Sequence, residues 1–373
     1  MLIGFKIRIH PNKEQISKFY QYAGTSRFMY NWSLAKIKEA YDLGIKFKDI
    51  KLANQLTIIQ KEIEELHWLN GIPRKVKCLA IEDAETAYKN FFSKKSKYPK
   101  FKSKKKKSKL SFSFHYTCND LTNVPKVGKV KLNSKDKLTE EVSNSHITSR
   151  LNISFDGKYW YLSGAYEKEY ELVELTESSL GIDLGLKDLA ITSDGIKFKN
   201  INKSHKVKKT KKKLKRVQRS LSRKYLMNKD GNKFIETNNI SKQLIELRLL
   251  YRKLTNIRQN HINQITASLA KTKPAKVVME DLNISGMMKN RHLARHIGEA
   301  NWYYFIETMR FKCKKFNIEF ILADRFYPSS KTCSACGTKK SDLKLKDRIF
   351  NCNCGLSIDR DVNAAINLAN YTV

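Results

Sequence analysis

Residues 1–10 alternate: Phe5, Ile7 and Ile9 fall on one side of the chain and Lys6, Arg8 and His10 on the other. That two-residue period predicts a strand with one buried face. From 13 to about 93 the apolar spacing lengthens to the helical period, as in "SRFMYNWSLAKIKEAY" and "VKCLAIEDAETAYKNFF". Alternation returns with aromatic residues over 110–116, 147–155 and 158–166, which predict three further strands. A strand before a helical stretch and strands after it imply a helical insert in a sheet-built module. A small β-barrel over 1–12 and 95–176 is expected, interrupted by helices over 13–94.

The second half patterns differently. In "SLGIDLGLKDLAITSDGIKFKN", Leu180, Ile182 and Leu184 alternate with Gly181, Asp183 and Gly185; "LAIT", the turn "SDG" and "IKF" then continue as a meander, with Asp194-Gly195 as its hairpin signal. Long helices are expected over 206–226 and 241–271. The run "AKVVME" is apolar without alternation, which predicts a strand buried on both faces with Glu280 emerging at its end. After the strand "IEFILA", the segment "CGLSIDRDVNAAINLA" ends in a short amphipathic helix, with Ser357 and Asp359 as N-cap candidates. Strands alternating with helices make 177–324 and 356–373 an α/β core, and no internal repeat is present.

Three carboxylates stand where such a core could gather them. Asp183 lies between glycines on a strand, and glycines beside an acid leave room for a ligand's backbone to approach. Glu280 ends a buried strand, where ligand sites form. Asp361 shares a helix face with Ala365 and Leu368, and a carboxylate there wants a cation; an ordinary first-turn Asp favoured by the helix dipole is the alternative. An acid on a first strand, one at the end of a later strand and one on a terminal helix make the layout of an RNase H-like nuclease core. Phosphodiester hydrolysis uses it because two ions about 3.5–4 Å apart need at least three carboxylates to hold them. Among the neighbouring acids, Asp188 reads as a turn residue, Asp281 points away from Glu280, and Asp359 caps a helix.

Cys333 and Cys336 in "CSACG", with Cys352 and Cys354 in "CNCG", form two close pairs, each followed by a turn-forming glycine. Such pairs predict a four-thiolate structural zinc site. A disulfide framework is disfavoured because Cys78, Cys118 and Cys313 are scattered and no secretory signal is evident.

Charge names the partner class. The net charge is +37 on 373 residues and the pI about 9.8, which points to a polyanion. The cations cluster over 98–109 and over 203–224, the latter without an acid. Lys100 and Lys102 in the first run, and Lys211, Lys212, Lys215 and Arg219 in the second, are candidates for gripping phosphates. Tyr98, Phe101, Phe112, Phe114 and Tyr116 are interleaved around the first run as stacking candidates. A solvated face is the alternative for either run. Hydrophobic content of 41% supports cores in more than one domain, and no eighteen-residue apolar span occurs, which argues against a membrane role.

The motifs "GIDLGLKDLAITSDG", "VVMEDLNISGM", "DRFYPSSKTCSACG" and "CNCGLSIDRDVNAAINLAN", in that order, with "KIRIHPNKEQ", "AYKNFF" and "YPKFKSK" before them, resemble the TnpB family, the OrfB proteins of insertion sequences. That family is similar to the compact type V CRISPR effectors, and the resemblance runs over essentially the whole chain. It implies a multidomain α+β fold: a wedge-type β-barrel carrying an inserted helical recognition lobe, then an RNase H-like (RuvC) nuclease domain with an inserted zinc ribbon over 325–355.

The activity it implies is RNA-guided cleavage of double-stranded DNA beside a short flanking motif, the two strands cut in turn. Matched residue by residue, the family's catalytic acids fall on Asp183, Glu280 and Asp361, which would hold two Mg²⁺, and its zinc ligands on the four cysteines. A transposon-derived guide RNA is the implied partner. Monomeric protein in a cytoplasmic, nucleoid-associated ribonucleoprotein is expected. Arg74, Lys75 and Cys78, near the start of one helix, are candidates for reading the flanking motif, a solvated helix face being the alternative; Arg74, Lys75 and Lys77 are candidates for nucleic-acid binding.

Two departures stand out. The second cysteine pair is one residue shorter than is common, and the chain ends at Val373, so a longer family tail is expected to be absent. Two other functions remain open from sequence: a nuclease-inactive RNA-guided DNA-binding repressor, which arises by loss of catalytic acids that are all present here, and an unguided DNA-binding accessory protein whose zinc knot grips DNA. Copurifying RNA separates them.

Overall fold

The computed structural model describes residues 1–45, 52–53, 56, 64–103, 110–116, 120–133, 137–169, 173–344 and 347–372. Part of the first lysine run, 104–109, and Cys118 lie outside them. The chain forms two compact units, Met1–Glu169 and Tyr170–Val373.

In the first unit, β1 (Leu2–His10) buries Phe5, Ile7 and Ile9, as the alternation predicts. Asn12 then caps α1 (Lys13–Asp42): its side chain accepts from the Gln15 amide while Gln15 returns a bond to the Asn12 amide, which starts the helix sharply. After α2 (Arg74–Phe92) the chain re-enters the sheet through β2 (Leu110–His115), β3 (Lys131–Leu132), α3 (Lys137–Ser143), β4 (Arg150–Phe155) and β5 (Trp160–Glu167). The antiparallel order is β2-β4-β5-β1-β3, with β1 and β5 paired from Leu2↔Glu167 to Ile9↔Trp160. Among the described residues these five strands form one sheet in that order, and no pairing joins β2 to β3.

The helices are inserted between β1 and β2. Phe19 and Tyr22 of α1 pack on Phe112 and Trp160 of the sheet, with Phe19 ring centroids 5.5 Å and 5.1 Å from those two. Farther along, α1 and α2 share a second core built from Met29, Leu34, Ile37, Cys78, Ile81 and Ala84.

The second unit is built on β6 (Ser179–Leu184), β7 (Asp188–Thr192), β8 (Lys197–Lys199), β9 (Lys276–Glu280) and β10 (Glu319–Ala323), in the order β8-β7-β6-β9-β10. The first three form the antiparallel meander read from the sequence, and Gly195 turns it at φ +77°. β9 lies centrally, parallel to β6 and β10, with Val277, Val278 and Met279 fully buried. Alternate side chains leave opposite faces of a strand. Val277 and Met279 meet α5 (Asn238–Lys271) and α7 (Trp302–Lys315) through Ile265, Leu269, Phe305 and Met309. Val278 meets Leu368 of α8 (Arg360–Ala369) on the other face.

Before α5 runs the basic α4 (His205–Met227), which lays Val207, Val217 and Leu221 inward. Between α5 and α7 lies α6 (Arg291–Ala300). The cysteine segment stands between β10 and α8, closed by the small pair β11 (Ile349–Asn351) and β12 (Ser357–Asp359).

Candidate active site

Gly181 decides how α8 sits. A Cβ at this position would stand 1.9 Å from the Ala365 carbonyl oxygen and 2.5 Å from the Ala369 nitrogen, so only glycine lets the helix backbone lie on β6. The space expected for a ligand's backbone is therefore filled by the chain's own helix. Gly185 is likewise local: its Cβ would meet the Asp188 carbonyl at 2.7 Å. With α8 seated, Asp361, one turn before Ala365, is brought towards Asp183, two residues beyond Gly181.

Asp359 holds the start of that helix. Its carboxylate accepts from the Asp361 and Val362 amides at 2.9 Å and 3.4 Å and pairs with the Lys197 ammonium at 2.5 Å. Asp359 thus takes the capping role read for it, and Asp281 pairs at 2.6 Å with Arg325. Asp188 instead begins β7.

Burial, then the charges of Asp361 and Glu280, push the Asp183 carboxyl up to about 7; Arg360 and the Leu184 amide oppose the rise. Burial is also the main cause that raises Glu280, with Asp281 second. Three acids from β6, β9 and α8 thus share one electrostatic environment. Arg360 stands beside them, its Nε 3.6 Å from an Asp361 oxygen, and Lys197, paired with Asp359, also acts on Asp361. A half-buried group of carboxylates is chemically suited to divalent cations, which favour the ionised form that burial disfavours. Among the described residues, the carboxylates are less tightly gathered than the thiols below.

The ligand atoms of Cys333, Cys336, Cys352 and Cys354 all lie within 4.8 Å of one another. Cys333–Cys354 and Cys336–Cys352 sulfurs are each 3.6 Å apart. A tetrahedron with Zn–S bonds of about 2.3 Å has edges of about 3.8 Å, so the donor set, short second pair included, fits zinc. Gly337 and Gly355 turn the two knuckles at φ +76° and +93°. Cys78 and Cys313 are buried singly, and burial pushes the Cys313 thiol up to about 12.

Sequence reasoning missed how this module is fastened to the acids. Asn363 and Asn367, buried on α8, donate to the Thr332 carbonyl at 2.7 Å and 2.6 Å, and Asn363 accepts from the Ser334 amide at 3.0 Å. The signal was available: two asparagines four apart on the apolar face of a short helix need buried partners.

The basic candidates divide. Lys212, Lys215 and Arg219 are exposed on α4 and, with Arg216 and Arg223, line an open groove of about 850 Å³. Lys211 lies beside that groove but pairs with Glu299 at 2.5 Å. Arg74, Lys75 and Lys100 are exposed. Lys77 is a correction: it is buried, its ammonium donating to the Leu69 carbonyl at 3.0 Å, so it anchors α2, and Cys78 is buried next to it. Lys102 is engaged locally, its ammonium 3.7 Å from the Tyr30 ring centroid and its backbone bonded to Asn31. Phe112 and Phe114 are a second correction, since both are core residues of the first unit. Phe101 and Tyr98 remain exposed.

Three family models match: one described as "Helix-turn-helix domain" over residues 1–46, one as "Probable transposase" over 164–291, and one as "Cas12f1-like, TNB domain" over 302–368. A Streptomyces pristinaespiralis protein provisionally named an RNA-guided DNA endonuclease is 30% identical over 98% of this chain and 88% of its own length. The chain belongs to the OrfB (TnpB) family. Another TnpB-family relative, the Escherichia coli K12 protein InsQ, provisionally given the same activity, is 29% identical over 98% of this chain and 91% of its own. The cryo-EM structure of a Cas12f1–sgRNA–target DNA complex shares the fold, with a TM-score of 0.60 at 15% identity over 99% of both chains. In this TnpB-family chain the segment called helix-turn-helix is one strand and one 30-residue helix. Among the described residues no helix is long and apolar enough to cross a membrane.

Proposed function

We propose that this chain is an RNA-guided DNA endonuclease of a transposon, cutting double-stranded DNA beside a short flanking motif. What supports the proposal is that Asp183, Glu280 and Asp361 stand, half-buried, on the neighbouring elements β6, β9 and α8, and that burial and then the charges of Asp361 and Glu280 push the Asp183 carboxyl up to about 7. Membership of a family whose relatives bear that activity in their names supports it.

The three carboxylates would hold two Mg²⁺, which supply an activated water and neutralise charge at the leaving oxygen. The rest is work for the chain. Asp359 fixes the first turn of α8 and so orients Asp361, and Gly181 sets how closely that helix meets β6. Lys212, Lys215, Arg216, Arg219 and Arg223 grip phosphates without reading bases, so sequence is left to pairing by a bound guide RNA. One Zn²⁺ on the four cysteines stiffens the module fastened to α8 by Asn363 and Asn367.

In domain terms we assign 1–12 and 95–176 to a wedge-type barrel, 13–94 to a helical recognition lobe, 177–324 and 356–373 to a RuvC domain, and 325–355 to a zinc ribbon. The particle is one protein with one guide, working at the nucleoid. The test is to sequence the RNA that copurifies, rebuild the complex with an altered guide segment and add Mg²⁺. Cutting should move to the DNA that pairs with the new guide. An unmoved cut site, or full activity after RNase treatment, would refute guidance.

A further inference from the structure

We infer that Phe326 is a stacking platform for an unpaired nucleobase of the DNA strand entering the acidic site, an inference that rests on the nuclease proposal above. At 87% exposure Phe326 is the most exposed large hydrophobic side chain among the described residues. A bare phenyl ring in water has no polar tip to justify its position, unlike the exposed tyrosines.

The ring is presented by a loop that is held on several sides. β9 and β10 pair in register Glu280↔Ala323, so Asp324, Arg325 and Phe326 directly follow the residue beside a site acid. Strands lie about 4.8 Å apart and three residues reach at most about 11 Å, which keeps Phe326 within roughly 16 Å of Glu280. Arg325 binds Asp281, the residue after Glu280, at 2.6 Å. The Phe326 amide donates to the Asp324 carboxylate at 2.8 Å, and the Asp324 amide to the Tyr371 hydroxyl at 3.2 Å. Tyr327 turns inward, its hydroxyl donating to the Asn367 carbonyl at 3.2 Å and its ring centroid 4.9 Å from that of Tyr371.

Every neighbour of Phe326 is thus committed to the fold while its own ring faces solvent. A rigid backbone with one projecting aromatic suits stacking, because the loop's ordering is already complete before a base arrives. An unpaired base offers a flat π-face whatever its identity, and Arg325, the preceding residue, half-exposed in its pair with Asp281, offers a cation to the adjoining phosphate. A base stacked on this ring keeps its strand within reach of the carboxylates on β6, β9 and α8.

The experiment uses the complex rebuilt on its copurifying RNA, with 2-aminopurine placed singly along each DNA strand, and separately along the RNA, in Ca²⁺ so that binding is read without cutting. Stacking quenches this base. The wild-type complex should quench it at one position of one DNA strand. Phe326→Leu and Phe326→Ala should lose that quench and slow single-turnover cutting in Mg²⁺ by about 5- to 150-fold, with guide and target binding and thermal midpoint unchanged. Phe326→Trp should keep both. Quench surviving in Phe326→Leu, quench found only in the RNA, or Phe326→Leu cutting at the wild-type rate would each overturn the inference. A wild-type complex that never cuts would instead sink the nuclease proposal, and the quench would still decide whether the ring binds a base.

Discussion

Glu299 on α6 pairs with Lys211 of the basic helix at 2.5 Å, and both side chains are about four-fifths buried. The same carboxylate faces Arg295 at 3.3 Å and Arg258 at 3.7 Å, while Asn202 bonds both the Glu299 carbonyl and the Arg258 guanidinium. A helix as cationic as α4 repels itself, and this acid ties its inner side to α5 and α6. Glu299→Gln should cost about 2 kcal/mol, less than breaking a fully buried pair, as read by thermal melting at low salt.

The pH dependence of that tie has a definite sign. Burial alone would raise the Glu299 carboxyl, but Lys211, then Arg295 and Arg258, outweigh it and hold the group below the usual carboxylate range. A depressed acid contributes stability above its unfolded value of about 4.3 and loses it as pH falls further. Wild type and Glu299→Gln should therefore differ in midpoint at pH 7 and converge as the buffer is taken well below pH 4.

Two glycines should respond oppositely to alanine. At Gly181 the added methyl collides with backbone atoms of α8, which cannot swing aside, so Gly181→Ala should cost about 3 kcal/mol or more and suppress cutting by moving Asp361. Gly24 lies within α1 with nothing within 4 Å of an added Cβ, so Gly24→Ala should stabilise by about 0.5–1 kcal/mol. Melting and cleavage assays on the two variants check these opposite outcomes.

Asp183→Asn should abolish cutting, by roughly a thousandfold or more, while guide and target binding persist, because it removes a ligand from the metal pair and leaves the basic groove intact. Without metal, the same change should raise the melting midpoint, since it removes a buried charge that two other acids oppose. Near wild-type cutting by this variant, or by Glu280→Ala or Asp361→Ala, would remove that residue from the site.

Purified protein should carry one zinc. Cys352→Ser, or a strong chelator, should release it and loosen Asn363 and Asn367 from the Thr332 carbonyl, with faster amide exchange spreading into α8. Active protein with no zinc by metal analysis would sink this.

Replacing Lys212, Arg216, Arg219 and Arg223 with glutamine should weaken nucleic-acid binding without altering which sequence is chosen. The plot of log affinity against log salt should flatten by about 0.7 to 0.9 for every phosphate that the variant leaves unneutralised. An unchanged slope would return these cations to the status of a solvated face.

Short-range periodicity in the chain determined much of this protein. The two-residue alternation of Phe5, Ile7 and Ile9 specifies which face of β1 is buried, the unbroken run before Glu280 specifies a central strand, and paired cysteines with glycines specify the knuckles. The three candidate acids stand out by position: Asp183 between glycines within β6, Glu280 at the end of β9 and Asp361 in the first turn of α8. Tertiary structure alone decided what each position faces. The pattern cannot distinguish Lys77, which is spent on a carbonyl, from exposed Lys75, nor buried Phe112 from exposed Phe101. It leaves open whether Gly181 makes room for a ligand or for the chain itself. The answer depends on Ala365, a residue far along the sequence, and local propensity carries no information about which distant backbone comes to lie against a strand.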